Sequence, residues 1–575
     1  MAVGGALITH APARSFEIAR PHVPSCGSTD RWQTGVTLSI EKGTTMSRQK
    51  EWRSRILGSL AGVASTLALM AATTTVIAVL PDEAAAQAPR KGGKLVVARP
   101  ADITSWDPKF TNDTLTIQAQ HQIYANLMQN SSDGQQLRPS LAESYEISPD
   151  SKVYTFKLRS NAKFCNGTPI TAADVKFSID RAMEKDSRVT WQFPASPVVE
   201  AVDDKTVRIT LNRPNVAFVS YLTLWGSHVL SKDYADKAGL QELAQKPIGS
   251  GAFCLSSWNK GQNAVLVRNP HYWDPDRPYL DEVDMRVVQD ENAAVLQLRG
   301  GQIDVALSVP HSQFKALQNA PGIKASMVTL YASSSIVPNV RSFPPFKDVK
   351  VRQAMLMALD RQAMVDALLF GNGEPVQSPF YGPGLLFHTK DFGVGFDVEK
   401  AKKLMAESSF PQGFTAKLIV PSGDEMANQA AVIMNDQLSK IGIKIQVTPT
   451  EAGTILQLRS SGNFDMFYKL GSNLVIDPAM NIPFDFWSRE EGGSDAAFSG
   501  YRNEQIVKIS KEAEGEQDVA KRTAAYRELQ RIAMSEVPQI YLFHPSVVYA
   551  TRDTVQGFAI FPTRLHRFWE TWKTQ

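Results

Sequence analysis

The sequence predicts an α/β protein of two or three domains. Length is the first reason, since 575 residues exceed what a single hydrophobic core holds. A strand–helix–strand succession is the second, and it occurs twice, over residues 283–307 and again over 414–449. The third is a return to strand character at residues 539–551, which carries the end of the chain back into a sheet.

Composition sets the class. With 43% hydrophobic and 21% charged residues and no low-complexity tract, the chain reads as globular. Its formal charge is +3, and the body after residue 86 is nearly balanced and lacks basic runs, which gives no electrostatic reason to expect nucleic acid. Met46 opens a basic stretch with Arg48, Lys50, Arg53 and Arg55. An almost uncharged apolar run, Ile56–Leu80, follows, and then Ala84-Ala85-Ala86. Basic, apolar and small-residue segments in that order predict a signal peptide over 46–86, cleaved before Gln87. An uncleaved anchor is the alternative, because 25 apolar residues span a bilayer. Residues 1–45 precede this start and read as a non-native extension or as dispensable.

Each element of the body has a local cause. Gly92–Pro100 forms a short strand that ends in the loop "ADITSWDP". Tyr145–Phe164 alternates with a period of two around a Pro149-Asp150-Ser151 turn. Thr171, with Asp174 three residues on, marks a capped helix with Val175, Ile179 and Ala182 on one face. Asp290, Asp348, Asp360 and Asp397 mark further helix starts, and Gly300 and Gly371 mark stops. Strands at 414–423 and 443–449 flank a helix over Glu425–Ile441. Phe467–Leu470 ends a strand that Gly471, Ser472 and Asn473 break. Downstream of residue 86 only Cys165 and Cys254 remain. Their separation of 89 residues predicts two separate buried thiols, although an exported chain could pair them.

No constellation for catalysis is legible. The chain has no H-E-x-x-H, C-x-x-C, G-x-S-x-G or Walker A sequence, and His121, His271, His311 and His388 each sit alone. "GSGAF" at Gly249 has too few glycines and no following helix to cradle phosphate. Neither an enzyme nor a cofactor or metal site is expected.

Five stretches, in order, carry a resemblance: "LAESYEISPDSKVYTFKLRSNAKFCNGTPITAADVKFSIDRAM", "PIGSGAFCL", "RNPHYWDPDRPYLDEV", "LRGGQIDVAL" and "FKDVKVRQAMLMALDRQAMV". Together they resemble the extracellular solute-binding proteins of family 5, the oligopeptide-, dipeptide- and nickel-type binding proteins of ABC importers. Cys165 stands where the family often has His, and Ser250 where Thr is usual. The resemblance implies a type II periplasmic-binding fold, two lobes around a cleft with an inserted subdomain. Lobe I would comprise 87–133, 247–330 and 541–575, the insertion 134–246, and lobe II 331–540. It also implies a periplasmic monomer that captures a peptide or peptide-like solute and delivers it to the permease subunits of the inner membrane. A non-peptide solute (opine-like, sugar or metal chelate) is the alternative within this class, and a holdase the alternative outside it.

By position, the resemblance assigns the ligand to Ile103, Ser105 and Trp106 after the first strand, Ser335 near one crossing, and Gly471, Ser472, Asn473 and Leu474 in lobe II. Tyr541 and His544 near the second crossing complete the set. Peptide-binding relatives often read acidic-x-x-acidic-Pro in that lobe II loop, where the first carboxylate holds the ligand's α-ammonium. Here Asp477-Pro478 supplies the second half and Leu474 replaces the first, so a peptide N-terminus loses its charged partner. Leu474 therefore argues against a peptide ligand.

Overall fold

The computed structural model describes residues 88–574 apart from 132, 133, 135, 489, 492, 494–497 and the side chain of residue 240. The expected signal segment, 46–86, and residues 1–45 lie outside this range. Among the described residues no helix is long and apolar enough to cross a membrane.

Three sheets organise the chain. The first has seven strands, in the order Ile323–Thr329, Ser546–Arg552, Val305–Ala306, Lys94–Arg99, Glu282–Val287, Asn263–Arg268 and Phe253–Asn259. Lys94–Arg99 runs parallel to both of its neighbours, and its Leu95 and Val97 pack with Val283 and Met285 in a continuous core. The second sheet has five strands, in the order Ile443–Thr450, Phe414–Pro421, Met466–Ser472, Ala332–Pro338 and Ile540–Tyr541. Ala416, Leu418 and Val420 recur at every second residue of its strand and meet Ala427, Ala430, Met434 and Leu438 of the helix Glu425–Ser439. The third is a four-stranded antiparallel sheet with Ala142–Ile147 and Val198–Asp203 at its edges. The helix Ala172–Ala182 buries Val175 and Ile179 in the same core, and its first turn is closed by the reciprocal Thr171–Asp174 capping box.

The chain passes between the two large sheets twice, at Leu330–Tyr331 and at Pro545. The Leu330 N–H donates to the Pro545 carbonyl at 3.0 Å, so the two crossings are tied to each other. Tyr541 and His544 pair with strands on the second-sheet side, so the return to the first sheet falls after them, four residues later than expected.

Two expectations fail for non-local reasons. Cys165 and Cys254 form a disulfide with Cα atoms 5.9 Å apart, rather than two free thiols. A Cβ on Gly249 or Gly251 would lie 2.2 or 2.7 Å from the Ile123 backbone, so only glycine allows this approach. The Cys165 N–H then donates to the Gly249 carbonyl at 2.9 Å, which draws the two cysteines together. The strand that begins at Met466 also continues through Gly471 and Ser472, because these pair with Ser333 and Ala332 of a strand far upstream.

Candidate functional site

Three segments meet beside the crossings: the loop 471–481, the strands around Ser335 and Tyr541, and the hairpin turn 561–565. Tyr331 joins the first to the third. Its N–H donates to the Pro562 carbonyl at 2.8 Å, and its carbonyl accepts from the Asn473 N–H at 2.6 Å.

The loop is built from its own polar side chains. Asn473 donates through Nδ2 to the carbonyls of Val475 (2.7 Å) and Asp477 (3.0 Å), and its Oδ1 accepts from Asn481 Nδ2 at 2.8 Å. Asn481 also holds the Ser472 carbonyl at 2.9 Å. Asp477 caps the turn Pro478–Met480 through the Ala479 N–H and accepts both arms of Arg522, at 2.6 and 3.0 Å. Its carboxylate is thereby occupied. Leu474 is half-buried, and with Leu137 it packs on the core of the four-stranded layer, which also takes up Val475, Ala479 and Met480. Gly471 is fixed by close approach, since a Cβ there would lie 2.5 Å from the Tyr381 ring.

Lys469, Ser335 and Tyr541 are directly opposed across three neighbouring strands and therefore share one face of the sheet. The Lys469 ammonium donates to the Tyr381 hydroxyl at 2.6 Å, and both bond the buried Asp485 carboxylate. Ser335 donates to Gln539 Oε1 at 2.8 Å. Burial, followed by the Asp485 charge, pushes the Tyr541 hydroxyl well above the usual phenol range. His544 is buried with Nδ1 2.8 Å from the Ala332 carbonyl, and burial lowers its imidazole pKa below the ordinary value.

The loop after the first strand is placed differently. Ile103 and Trp106 lie in the core of the first sheet, and Trp106 packs edge-on against Trp258 at 6.2 Å. Ser105 is half-buried, and its hydroxyl accepts from the Asp107 N–H at 3.0 Å. The Trp106 N–H donates to the Ala244 carbonyl at 3.0 Å, and Asp107 reaches Arg181 of the four-stranded layer at 2.6 Å in a buried ion pair. The geometry thus gathers Ser335, Gly471–Leu474, Tyr541 and His544 near the crossings and leaves Ile103 and Trp106 as packing.

Sequence reasoning missed Tyr381, Lys469 and Asp485, which lie far apart in the chain, and also a cavity of about 440 Å³. The cavity opens between Trp191, Phe193 and Arg213 on one side and Met480 and Phe484 on the other. Trp191 meets Phe484 edge-on at 6.4 Å across it, and Ala195 and Ser196 on its wall hold φ values of +68° and +42°. This layout has features of a binding site: polar groups of fixed orientation, aromatic walls and two layers joined by crossing strands.

The comparisons agree. Residues 136–491 match the model for bacterial extracellular solute-binding proteins, family 5 Middle. The chain belongs to this family. The D,D-dipeptide-binding periplasmic protein DdpA of Escherichia coli K12 (a probable assignment in its own name) is 29% identical over 81% of this chain and 92% of the relative. The glutathione-binding protein GsiB of Escherichia coli O1:K1 / APEC is 30% identical over 82% and 92%. Among solved structures, AgaA of A. tumefaciens R10, in complex with agropinic acid, superposes with a TM-score of 0.71 at 27% identity, covering 84% of this chain and 99% of AgaA. As a family 5 protein the chain has the type II periplasmic-binding fold, with two lobes and an inserted subdomain, and serves as the substrate-binding component of an ABC importer.

Proposed function

We propose that the chain captures a small peptide-like solute between its lobes in the periplasm and hands it, as a monomer, to the permease subunits of the importer. Closure around the ligand would bias an open–closed equilibrium through contacts from both lobes. We place the lobe boundaries at 331 and 545, with 134–246 as the insertion and 46–86 as the signal peptide, so N-terminal sequencing of the secreted protein should begin at Gln87. The observation that carries the reading is the Pro562–Tyr331–Asn473 backbone relay, which sets segments of both lobes around one hinge. Ser105, Ser335, Ser472, Tyr541 and His544 remain the proposed polar contacts, with Leu474 as an apolar wall.

Leu474 favours a second member of the same class. The loop presents no carboxylate for an α-ammonium group, since Asp477 is held by Arg522. A solute with a blocked or absent amine, as in opine-like compounds, fits this better than a free dipeptide.

Thermal shift with D-Ala-D-Ala, glutathione and agropinic acid, together with native mass spectrometry of protein taken from its source, tests the reading. A bound solute raises the melting temperature by mass action. A rise with at least one small solute and no chemical change in it is the expected result. Turnover of the solute, or binding of unfolded chains alone, would replace the reading with an enzyme or a holdase.

A further inference from the structure

The turn 561–565 carries buried polar atoms that no other described residue satisfies. Phe561 N–H donates to the Leu565 carbonyl at 2.7 Å and Arg564 N–H to the Phe561 carbonyl at 2.8 Å, which closes the hairpin. Arg564 sits at φ +68°, a left-handed conformation that costs an L residue about 1 kcal/mol. Its Nε is buried, and among the described residues its guanidinium has no hydrogen bond, ion pair or ring contact. Thr563 Oγ1 beside it is likewise buried and unpartnered. Gln118 grips the Arg564 carbonyl through Nε2 at 2.7 Å, yet its Oε1 is buried with no donor.

Several fully buried arginines are matched within the chain, although Arg99 Nη1 and Arg567 Nε also lack a partner among the described residues. Arg181 pairs with Asp107, Arg522 with Asp477 and Arg567 with Glu570, while Arg352 and Arg361 bond backbone carbonyls. Burial pulls the Arg564 guanidinium below its ordinary pKa, and no carboxylate opposes the shift. Arg564 is half-buried, with Nε withdrawn from water and no counter-charge beside it, which leaves its guanidinium open to an anionic partner from outside the chain. The turn is in the right place for one, since Pro562 bonds Tyr331 and Tyr331 bonds Asn473 next to Leu474.

We propose that the Arg564 guanidinium, flanked by Thr563 Oγ1 and Gln118 Oε1, anchors a carboxylate of the bound solute. A guanidinium presents two parallel N–H donors to a carboxylate, Thr563 adds a hydroxyl donor, and Gln118 Oε1 accepts a neighbouring N–H or O–H. With Leu474 where relatives carry an acid, this end of the cleft selects a carboxylate without a free amine beside it. The inference rests on the solute-binding reading above and adds the charge of the solute to it.

The test uses the purified protein, stripped of ligand in guanidinium chloride and refolded, with five probes: N-acetyl-alanyl-alanine, alanyl-alanine, alanyl-alaninamide, glutathione and agropinic acid. Calorimetry should give affinity for carboxylate-bearing probes that is at least about tenfold weaker for the amide and at least about tenfold weaker in Arg564→Gln, with partial retention in Arg564→Lys. Without ligand, Arg564→Gln should melt no lower than the unsubstituted protein, because it removes a half-buried charge that no carboxylate compensates. Equal binding of the amide, unchanged binding by Arg564→Gln, or a ligand-free melting temperature several degrees lower would overturn the assignment. If the unsubstituted protein binds none of the five, the peptide-like reading falls, while the ligand-free melting comparison still decides whether Arg564 is structural.

Discussion

Two neighbouring segments at the crossings differ in one respect. In the loop 471–481, Asn473, Asp477 and Asn481 are satisfied by one another, by the loop backbone and by Arg522. In the turn 561–565, Thr563 and Arg564 keep buried polar atoms without partners, as does Gln118 against them. Both are short connections beside Tyr331, yet one is complete without a ligand and the other is not. The contrast teaches that position in a cleft is a weaker guide to ligand contact than unfinished hydrogen bonding.

The largest way to break the comparison is Asp477→Ala, which leaves the buried Arg522 uncompensated. We expect a loss of about 3–5 kcal/mol in chemical denaturation, and a loss below about 1 kcal/mol would mean that the loop is no scaffold. A tie outside both segments sets the scale: replacing both Cys165 and Cys254 by Ala should cost about 2–4 kcal/mol, visible as a melting shift that reductant reproduces in the parent alone. Asn473→Ala should cost about 2 kcal/mol through the carbonyls it abandons.

Acid separates the two sides by another route. His566, directly after the turn, is fully buried, and burial lowers its pKa to about 3. Because the folded value lies below the unfolded one, its neutral form favours folding above about pH 6.5. That stability is lost as pH falls toward 3, by up to about 1.4 kcal/mol per pH unit. Melting curves from pH 7 to 4 should therefore flatten in His566→Asn. The smallest effect is the sharpest: Thr563→Val should change stability by less than about 0.5 kcal/mol, since the hydroxyl it removes has no partner among the described residues.

How much was legible follows the range of each cause. The caps at Thr171, Asp290, Asp348, Asp360 and Asp397 all bond an N–H two or three residues on, and each was readable from adjacent letters. The end of the strand at Gly471 was misread because its partners, Ser333 and Ala332, lie far upstream. The disulfide was missed because close packing of Gly249 and Gly251 on Ile123, not chain separation, brings the cysteines together. In the candidate site, one loop pattern singled out Leu474 and Asp477, but the cap that Asp477 places on Pro478–Met480 and its pairing with Arg522 were not legible there. Arg564 could not, since "PTRL" gives no local sign of a left-handed arginine and its isolation is a property of three distant segments.

The order of the first sheet has a consequence for the birth of the molecule. Lys94–Arg99 lies beside Val305–Ala306, whose other neighbour is Ser546–Arg552. A ribosome adding about 5–20 residues per second needs roughly 10–50 seconds to travel from Val305–Ala306 to Ser546–Arg552. Until Ser546–Arg552 arrives, Val305–Ala306 keeps an open edge, and a premature stop before Ser546 would leave it so for good. The last few dozen codons therefore decide whether everything translated before them acquires a finished lobe.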